Sequence, residues 1–572
     1  MTHTVAPNAA TLDGGIAERK SLLLAAQLAT AQKRITELEH ERDTLHAAHE
    51  RLRLELELLR RRLFVAKAER VDTAQLELEF AAKLRELDRL SDVPAPSEST
   101  AGHSHKRGKG KPKGRRDLSQ IPLEETRIEI TDPLFEELVA AGNAERVGHE
   151  ESYKLAYQRG GMRRVVVARV KYCATNARGE SEIETAPMPL ECFPRSLASP
   201  SLLAHVATEK HCDGLPLFRI EDRFNRDGVG VDRGTMCRWL EDAGATAGAT
   251  VIAAARAEAM RSAFCIATDA TGVSVQPEPL PDKKRQACRR GHYFVLIADR
   301  DHIFFEYTAK ENSRVVAEMF KGYSGYIQAD AKSVYDVLFV DPVERPPDDT
   351  DDAVRHEVGC WAHCRRKFWE ATVAQSVVAR EGLARVGRIF ELDASWRNKP
   401  PIEITRLRQA HMRPHFAAFF EWAEAQYPLV KQERGLLRSA LGYAVRQKEA
   451  LERVLENGRL LLDNNRSERE LRKVATGRKA WLFAGSDDHA TSAGHLLSLI
   501  ASARLHRLDP ETYLRDLFRV LGHWPKDRYI ELAPKYWAAT RVRLNSVELE
   551  FEIGTLTIPP RPLPPEEQSS AN

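Results

Sequence analysis

The chain of 572 residues lacks any apolar run approaching the ~18 residues that a membrane helix needs. Its first residues, "MTHTVAPNAATLDGG", lack the basic-then-apolar layout of a signal peptide, so a cytoplasmic location is expected. Paired cysteine frameworks are missing as well. The eight cysteines, at 173, 192, 212, 237, 265, 288, 360 and 364, are scattered, which fits reduced thiols rather than disulfides. A strong overall charge is also absent, because 86 basic residues nearly balance 83 acidic ones. That balance excludes a uniformly basic or acidic protein and moves attention to local patches.

The first patch is itself defined by an absence. Residues 18–90 contain neither Pro nor Gly, and apolar residues recur every seven positions: Leu24, Ala31, Leu38, Leu45, Leu52 and Leu59 on one seam, Leu28, Ile35, Leu56 and Leu63 on the other. Arg42 and His49 interrupt the second seam. This heptad pattern predicts a coiled coil and self-association into a homo-oligomer, although a long helix packed on its own protein would share the pattern. Residues 91–120 form a linker rich in Pro, Gly, Ser and basic residues. From His103 to Arg116 it carries seven Lys or Arg and no acid, as either a solubilising linker or a phosphate-seeking arm would.

Residues 121–195 predict a small strand-containing domain, with "RRVVVARVKYC" as its clearest strand. Within 196–245, a helix around Phe218–Phe224, a break at "NRDGVGV" and a second helix from Asp232 to Ala243 match a helix-turn-helix. Such a unit would present Arg233, Thr235 and Arg238 to a major groove, and any helical hairpin has the same outline.

From Phe264 the texture changes. "FCIATDATGVSV", "HYFVLIAD" and "HIFFEYTA" predict three strands, "SRVVAEMFKGY" a helix and "GYIQADA" a further strand. That order opens a ribonuclease-H-like α/β fold, in which strands one and four are neighbours. The expected architecture is therefore multidomain α/β, with a catalytic core over 260–485 interrupted by a helical insertion at about 360–460. C-terminal helices over 486–530 and a disordered tail over 555–572 complete it. Cleaving or transferring a phosphodiester requires carboxylates that converge from separate elements to hold divalent ions. Asp269 and Asp330 each end an apolar strand run, and an acid bracketed by "CIAT" and "ATGVSV" is costly in a strand interior unless paired or coordinating. Asp299 and Asp301 fall in "ADRD", where the hairpin must turn. The third acid should come from a helix much later. In "LLDNNRSERELRK", local reasoning makes Asp463 or Asn464 a helix cap and joins Glu468 to Arg472 at i, i+4, without separating Glu468 from Glu470.

The chain resembles the DDE transposases of insertion sequence family sixty-six. The resemblance rests on "RRRLFVAKAERVDTAQLELEF", "SPSLLAHVATEKHCDGLPLFR", "TDATGV", "GYIQADA", "CWAHCRRKF", "DNNRSERELR", "GRKAWLFAGS" and "LDPETYLRDLF", in that order. It implies a transposase that binds terminal inverted repeats, cleaves DNA and joins the ends to target DNA. Its triad would be Asp269, Asp330 and Glu468 with two Mg2+ ions, Mn2+ serving as a substitute, and accessory proteins of the same element would be expected partners. Glu470 is then the solvated carboxylate. Arg472, Lys473, Arg478 and Lys479 would hold backbone phosphates. Cys360 and His363 form a C-x-x-H near the site, read as structural because a zinc site with Cys364 lacks a fourth ligand. The family's zinc module is not supported here, since 121–195 offers mainly Cys173. A nuclease without strand transfer, or a non-catalytic coiled-coil and helix-turn-helix DNA-binding protein, are the competing readings.

Overall fold

In the computed structural model of the chain, the described residues are 32, 34, 124–158, 161–175, 181–194, 196–277, 286–341, 351–373, 377–432 and 434–562. The expected coiled coil and basic linker lie outside them, apart from helical Gln32 and Arg34. The chain divides into two compact units, 1–111 with 370–377 and 434–436, and 112–369 with 378–433 and 437–572. The second unit carries both sheets.

Its first sheet takes β1 (Glu124–Ile130), β2 (Ala144–Gln158), β3 (Gly161–Thr175) and β4 (Ser181–Thr185), with α1 (Pro133–Ala140) between β1 and β2. β3 is central. β2 pairs along one edge, while β1 and then β4 share the other. The run Val165, Val166, Val167 and Ala168 is buried on both faces, as β-branched residues in a central strand should be. Cys173 lies on β3 opposite Glu145 and Ile183.

Helices α2 (Pro200–His211), α3 (Leu217–Arg226) and α4 (Arg233–Ala243) follow. After a π-helical turn at Gly244–Gly248, the chain continues into α5 (Ala249–Ser262). The turn exists for close packing: a Cβ on Gly244 would stand 2.2 Å from the Ser492 carbonyl oxygen, so only glycine lets the two backbones cross there.

The second sheet has the order β7-β6-β5-β8-β9, built from β5 (Cys265–Val275), β6 (Arg289–Ala298), β7 (His302–Thr308), β8 (Gly325–Gln328) and β9 (Arg355–Val358). Helix α6 (Ser313–Met319) links β7 to β8. The sheet is mixed, since β5–β6 and β6–β7 are antiparallel while β5–β8 and β8–β9 are parallel. Numbered by sequence, strands one and four are neighbours, as expected. Asp299 and Asp301 occupy the β6–β7 turn, where Asp299 takes φ 53° and its carboxylate accepts the Phe264 and Cys265 amides.

Alternation along the strands splits the core. Ile266, Phe294, Leu296 and Phe304 face one layer, while Val273, Val295, Ile297 and Phe305 face the other. Two late helices cover that second face: α11 (Asn465–Trp481) and α12 (Asp487–Leu505). Between β9 and α11, helices α7 (Trp361–Thr372), α8 (Val377–Ser395), α9 (Arg413–Val430) and α10 (Leu436–Arg446) contribute to a separate core around Trp361, Phe368, Phe416, Phe419 and Phe420. α12 also closes the sheet edge. The Ser502 and Ser498 hydroxyls accept the Ile303 and Phe305 amides at 3.0 and 2.7 Å, satisfying outward groups of β7 that would otherwise invite strand addition.

The expected disordered tail needs correction at its start. Leu556 is buried, Arg528 donates to the Pro559 carbonyl at 2.9 Å, and Arg543 donates to that of Pro560. Prolines lack an N–H but keep an acceptor, so guanidinium groups can hold an extended Pro-rich strand. Residues 563–572 lie outside the described ones.

Candidate active site

Asp269 sits within β5, directly opposite Val295 of β6, and therefore points to the face that α11 covers. The parallel pairing of β5 with β8 is short, covering Cys265–Tyr326, Ile266–Ile327 and Ala267–Gln328. Two residues beyond the last pair on each strand stand Asp269 and Asp330. Equal register and the two-residue side-chain period put both carboxylates on one face, at the fork where the strands part. Immediately after it the chain turns, with the Lys332 amide donating to the Asp330 carbonyl at 2.7 Å.

Helix α11 reaches this fork by lying along β5. Seventeen residues give a helix about 25 Å long, close to the span of β5 from Thr268 to Val275, roughly 23 Å. Its start is fixed by Asn464, which is 1% exposed: the side chain donates to the Thr268 carbonyl at 2.7 Å and accepts from the Ser467 hydroxyl at 2.6 Å, while its amide meets the Cys360 sulfur at 3.3 Å. Its far end is fixed by Ala484, whose N–H donates to Ser274 and whose carbonyl accepts from Gln276, both at 2.9 Å. Leu471 and Val474 are buried against the sheet, each contributing about 1.5–3 kcal/mol. Glu468 lies one turn before Leu471 at i, i+3, on the flank of that buried face nearest to α7.

The electrostatics are those of acids short of a counter-ion. Burial pushes the Asp269 carboxyl up to about 6, and the nearby Asp330 and Glu468 charges add to the rise against the opposing Ala270 amide and Lys332. Asp330 Oδ1 is buried without a hydrogen-bond partner. The cation present belongs to the chain: Lys332 Nζ stands 3.8 Å from Asp269, 3.4 Å from Asp330 and 3.6 Å from Glu311. Burial lowers the Lys332 pKa, but these three acids outweigh it and the net direction is up. Glu468 is engaged elsewhere. One Arg366 nitrogen donates to both of its oxygens at 3.2 Å, and His363 Nε2 lies 3.6 Å from Oε1. Burial first and then Arg366 hold His363 below its ordinary value.

The structure therefore brings Asp269, Asp330, Glu468, Cys360 and His363 together. Cys360 acts locally, its buried thiol pushed up to about 11 and accepting the Asn464 amide. Other expectations change. Asn464, not Asp463, is the cap residue of α11, and Asp463 accepts the Asn465 amide at 3.1 Å. Glu468 pairs with Arg366 rather than Arg472, because the helix face toward α7 offers the nearer cation. Glu470 is not solvated: it is 18% exposed and holds Lys473 at 2.5 Å, which also occupies that lysine. Arg478 is bound to Thr271 and the Gly272 carbonyl, a structural tie, whereas Arg472 and Lys479 are exposed. In α4, Arg233 and Arg238 are exposed, but the Thr235 hydroxyl is spent on the Asp232 cap and on Arg238. Sequence reasoning missed Lys332, Glu311 and Arg366. Lys332 follows Asp330 by two residues and Arg366 follows His363 by one helical turn, so both carried a spacing signal. Glu311 carried none, being delivered by the loop before α6.

Two family models match: "Transposase IS66 family" over residues 195–492 and "IS66 C-terminal element" over 498–535. The chain belongs to the IS66 family of transposases. It is a DDE transposase, an enzyme of DNA cleavage and strand transfer, and the family's match covers both the two acid-bearing strands and α11. Among the chains this transposase is similar to are three uncharacterized proteins of Sinorhizobium fredii. The protein y4qI is 26% identical over 519 residues, covering 89% of this chain and 93% of its own. The proteins y4hP and y4jD are each 24% identical, covering 85% and 86% of this chain and 88% and 95% of their own. DDE transposases use divalent metal ions. Among the described residues no group of three or more His, Cys, Asp and Glu is gathered closely enough to hold an ion as it stands, in keeping with Glu468 being held by Arg366. The donor set nonetheless suits one, with two same-face carboxylates, an orphaned Asp330 oxygen and a lysine ammonium lying among the acids. No helix among the described residues is long and apolar enough to cross a membrane.

Proposed function

We propose that Asp269, Asp330 and Glu468 are the acids of the DDE reaction, carried on a ribonuclease-H-like core, and that they hold two Mg2+ ions. The observation that carries this reading is the fork: two part-buried aspartates at equal register on adjacent strands, with the helix bearing Glu468 laid against the same face. Bound there, the ions would supply an activated oxygen nucleophile and charge neutralisation at the phosphate. Asp269 and Asp330 provide the fixed part of that cage, since the strands and the turn after Asp330 restrain both. Glu468 is the adjustable part, because Arg366 is half exposed and a DNA phosphate is a strong competitor for a guanidinium. Lys332 keeps the aspartates from repelling each other before ions arrive and is free to turn to a phosphate afterwards. Arg472 and Lys479 hold backbone phosphates along α11, while Arg233 and Arg238 read or grip the terminal inverted repeats from α4. Self-association through 18–90 brings two element ends into one complex. Assaying purified protein with end-sequence duplexes and Mg2+ or Mn2+ tests the reading: cleavage and joined products should appear and should vanish with Asp269→Asn. Undiminished cleavage by that variant would refute the assignment.

A further inference from the structure

Helix α11 does not end in an ordinary cap. Leu482 takes φ 70° and ψ −50°, and the Phe483 amide donates to the Trp481 carbonyl at 2.9 Å, which makes a γ-turn of the strained, positive-φ kind. A left-handed branched residue is costly, and such strain persists only where the surroundings impose it. Here they do so on both sides. Trp481 folds back over Gly477, where a Cβ would stand 2.3 Å from the indole, and packs edge-on to His211 at 5.9 Å with Lys210 5.6 Å from its ring. Ala484, on the other side, is bonded through both backbone groups to β5. Held between these anchors, the turn projects Leu482 at 68% exposure and Phe483 at 46%, adjacent large apolar side chains that burial would favour by a wide margin.

The surroundings are suited to a polyanion. Exposed Lys479 and Arg472 lie on the helix leading to the turn, and exposed Arg290 is the β6 partner of Ser274, whose carbonyl holds the Ala484 amide. Among the acids that open α12, Asp487 is neutralised by Arg289, while Asp488 stays exposed. Apolar side chains presented from a rigid, cation-flanked edge are how proteins pry apart base steps. Resting on the transposase site described above, we propose that Leu482 and Phe483 form a wedge that enters duplex DNA and unstacks one base step. The thirteen helical steps from Glu468 to Trp481 set the distance to the turn at about 20 Å, roughly six base pairs from the cut phosphate.

The test uses the full-length protein and a duplex carrying its element's terminal repeat, with 2-aminopurine placed at successive positions and binding measured without divalent ions. Intact protein should raise the fluorescence several-fold at one step about six pairs from the cut. The variant pairs Leu482→Gly with Phe483→Ala. Glycine suits φ 70°, so this protein should fold with an unchanged or higher Tm. It should lose the fluorescence rise and cut at least ten-fold more slowly, and a mismatch placed at that step should restore the rate. Cleavage by intact protein with flat fluorescence, or an equal signal from the variant, overturns the wedge alone. A variant that changes only the oligomeric state assigns the turn to contact between copies and overturns it likewise. An intact protein that neither binds nor cuts the duplex overturns the functional reading and the wedge together.

Discussion

Two carboxylates on opposite sides of the same sheet have met opposite fates. Glu258 of α5 receives Lys535 at 2.8 Å, His302 at 3.2 Å and the Tyr536 hydroxyl. Burial alone would raise its pKa, but these donors hold it at about 2. Asp269 is just as enclosed, at 16% side-chain exposure against 17%, yet the protein gives it one short hydrogen bond from its neighbour Ala270 and a lysine 3.8 Å away, and it rises to about 6. Equal enclosure therefore does not fix which way a carboxyl shifts. What separates these two is how many donors the chain itself turns toward each.

The sharpest break of this comparison is chemical. Asp269→Asn or Asp330→Asn should cut strand transfer by a factor of about a thousand or more while the protein stays folded, whereas Glu258→Gln should leave the rate per folded molecule unchanged. Gel assays of cleaved and joined products separate the two. Next comes metal: Mg2+ at a hundred times its Kd should stabilise the intact protein by about 2.7 kcal/mol, read as a rise in Tm that Asp269→Asn and Asp330→Asn lack and Glu258→Gln keeps. Third, Glu258→Gln should cost about 2 kcal/mol at pH 7 in urea unfolding. The sign follows from its lowered folded pKa: the stabilisation is present above the unfolded value near 4.5 and fades as pH falls toward 2. The mutant and intact proteins should therefore converge in acid, and a constant difference down to pH 2 would refute the account. The smallest effect is expected from Arg366→Ala. Its exposed pair with Glu468 is worth less than about 1 kcal/mol, so stability should barely move while Mg2+ affinity rises, because Glu468 is released toward the aspartates.

Much of this site was legible in the sequence because strand acids are expensive. Asp269 stood out inside "CIATDATG", and the order of strands and helix made Asp330 its neighbour. The remainder depended on tertiary contact. Nothing in "DNNRSERELR" separates Glu468 from Glu470; only the fold gives them different neighbours, Arg366, His363 and Asp269 around the first and Lys473 beside the second. Local pairing rules joined Glu468 to Arg472, and a cation from α7 prevailed because packing brought it closer. The same limit applies to Arg478: a basic residue near a nuclease site suggests phosphate, and only the fold shows it holding the Gly272 carbonyl. Proline-rich composition misled in another way, since it reports the loss of donors and says nothing of the acceptors that Arg528 and Arg543 use.

Asn464 has a consequence in time as well as in space. Its side-chain bond to the Thr268 carbonyl joins residues 196 positions apart, and its amide bond to Cys360 ties in the start of the helical insertion. A growing chain completes both strands and both aspartates long before this residue is made. Until then the fork has no helix across it and Glu468 has no place to stand. A chain interrupted within the insertion therefore carries both acid-bearing strands without the helix that packs across them.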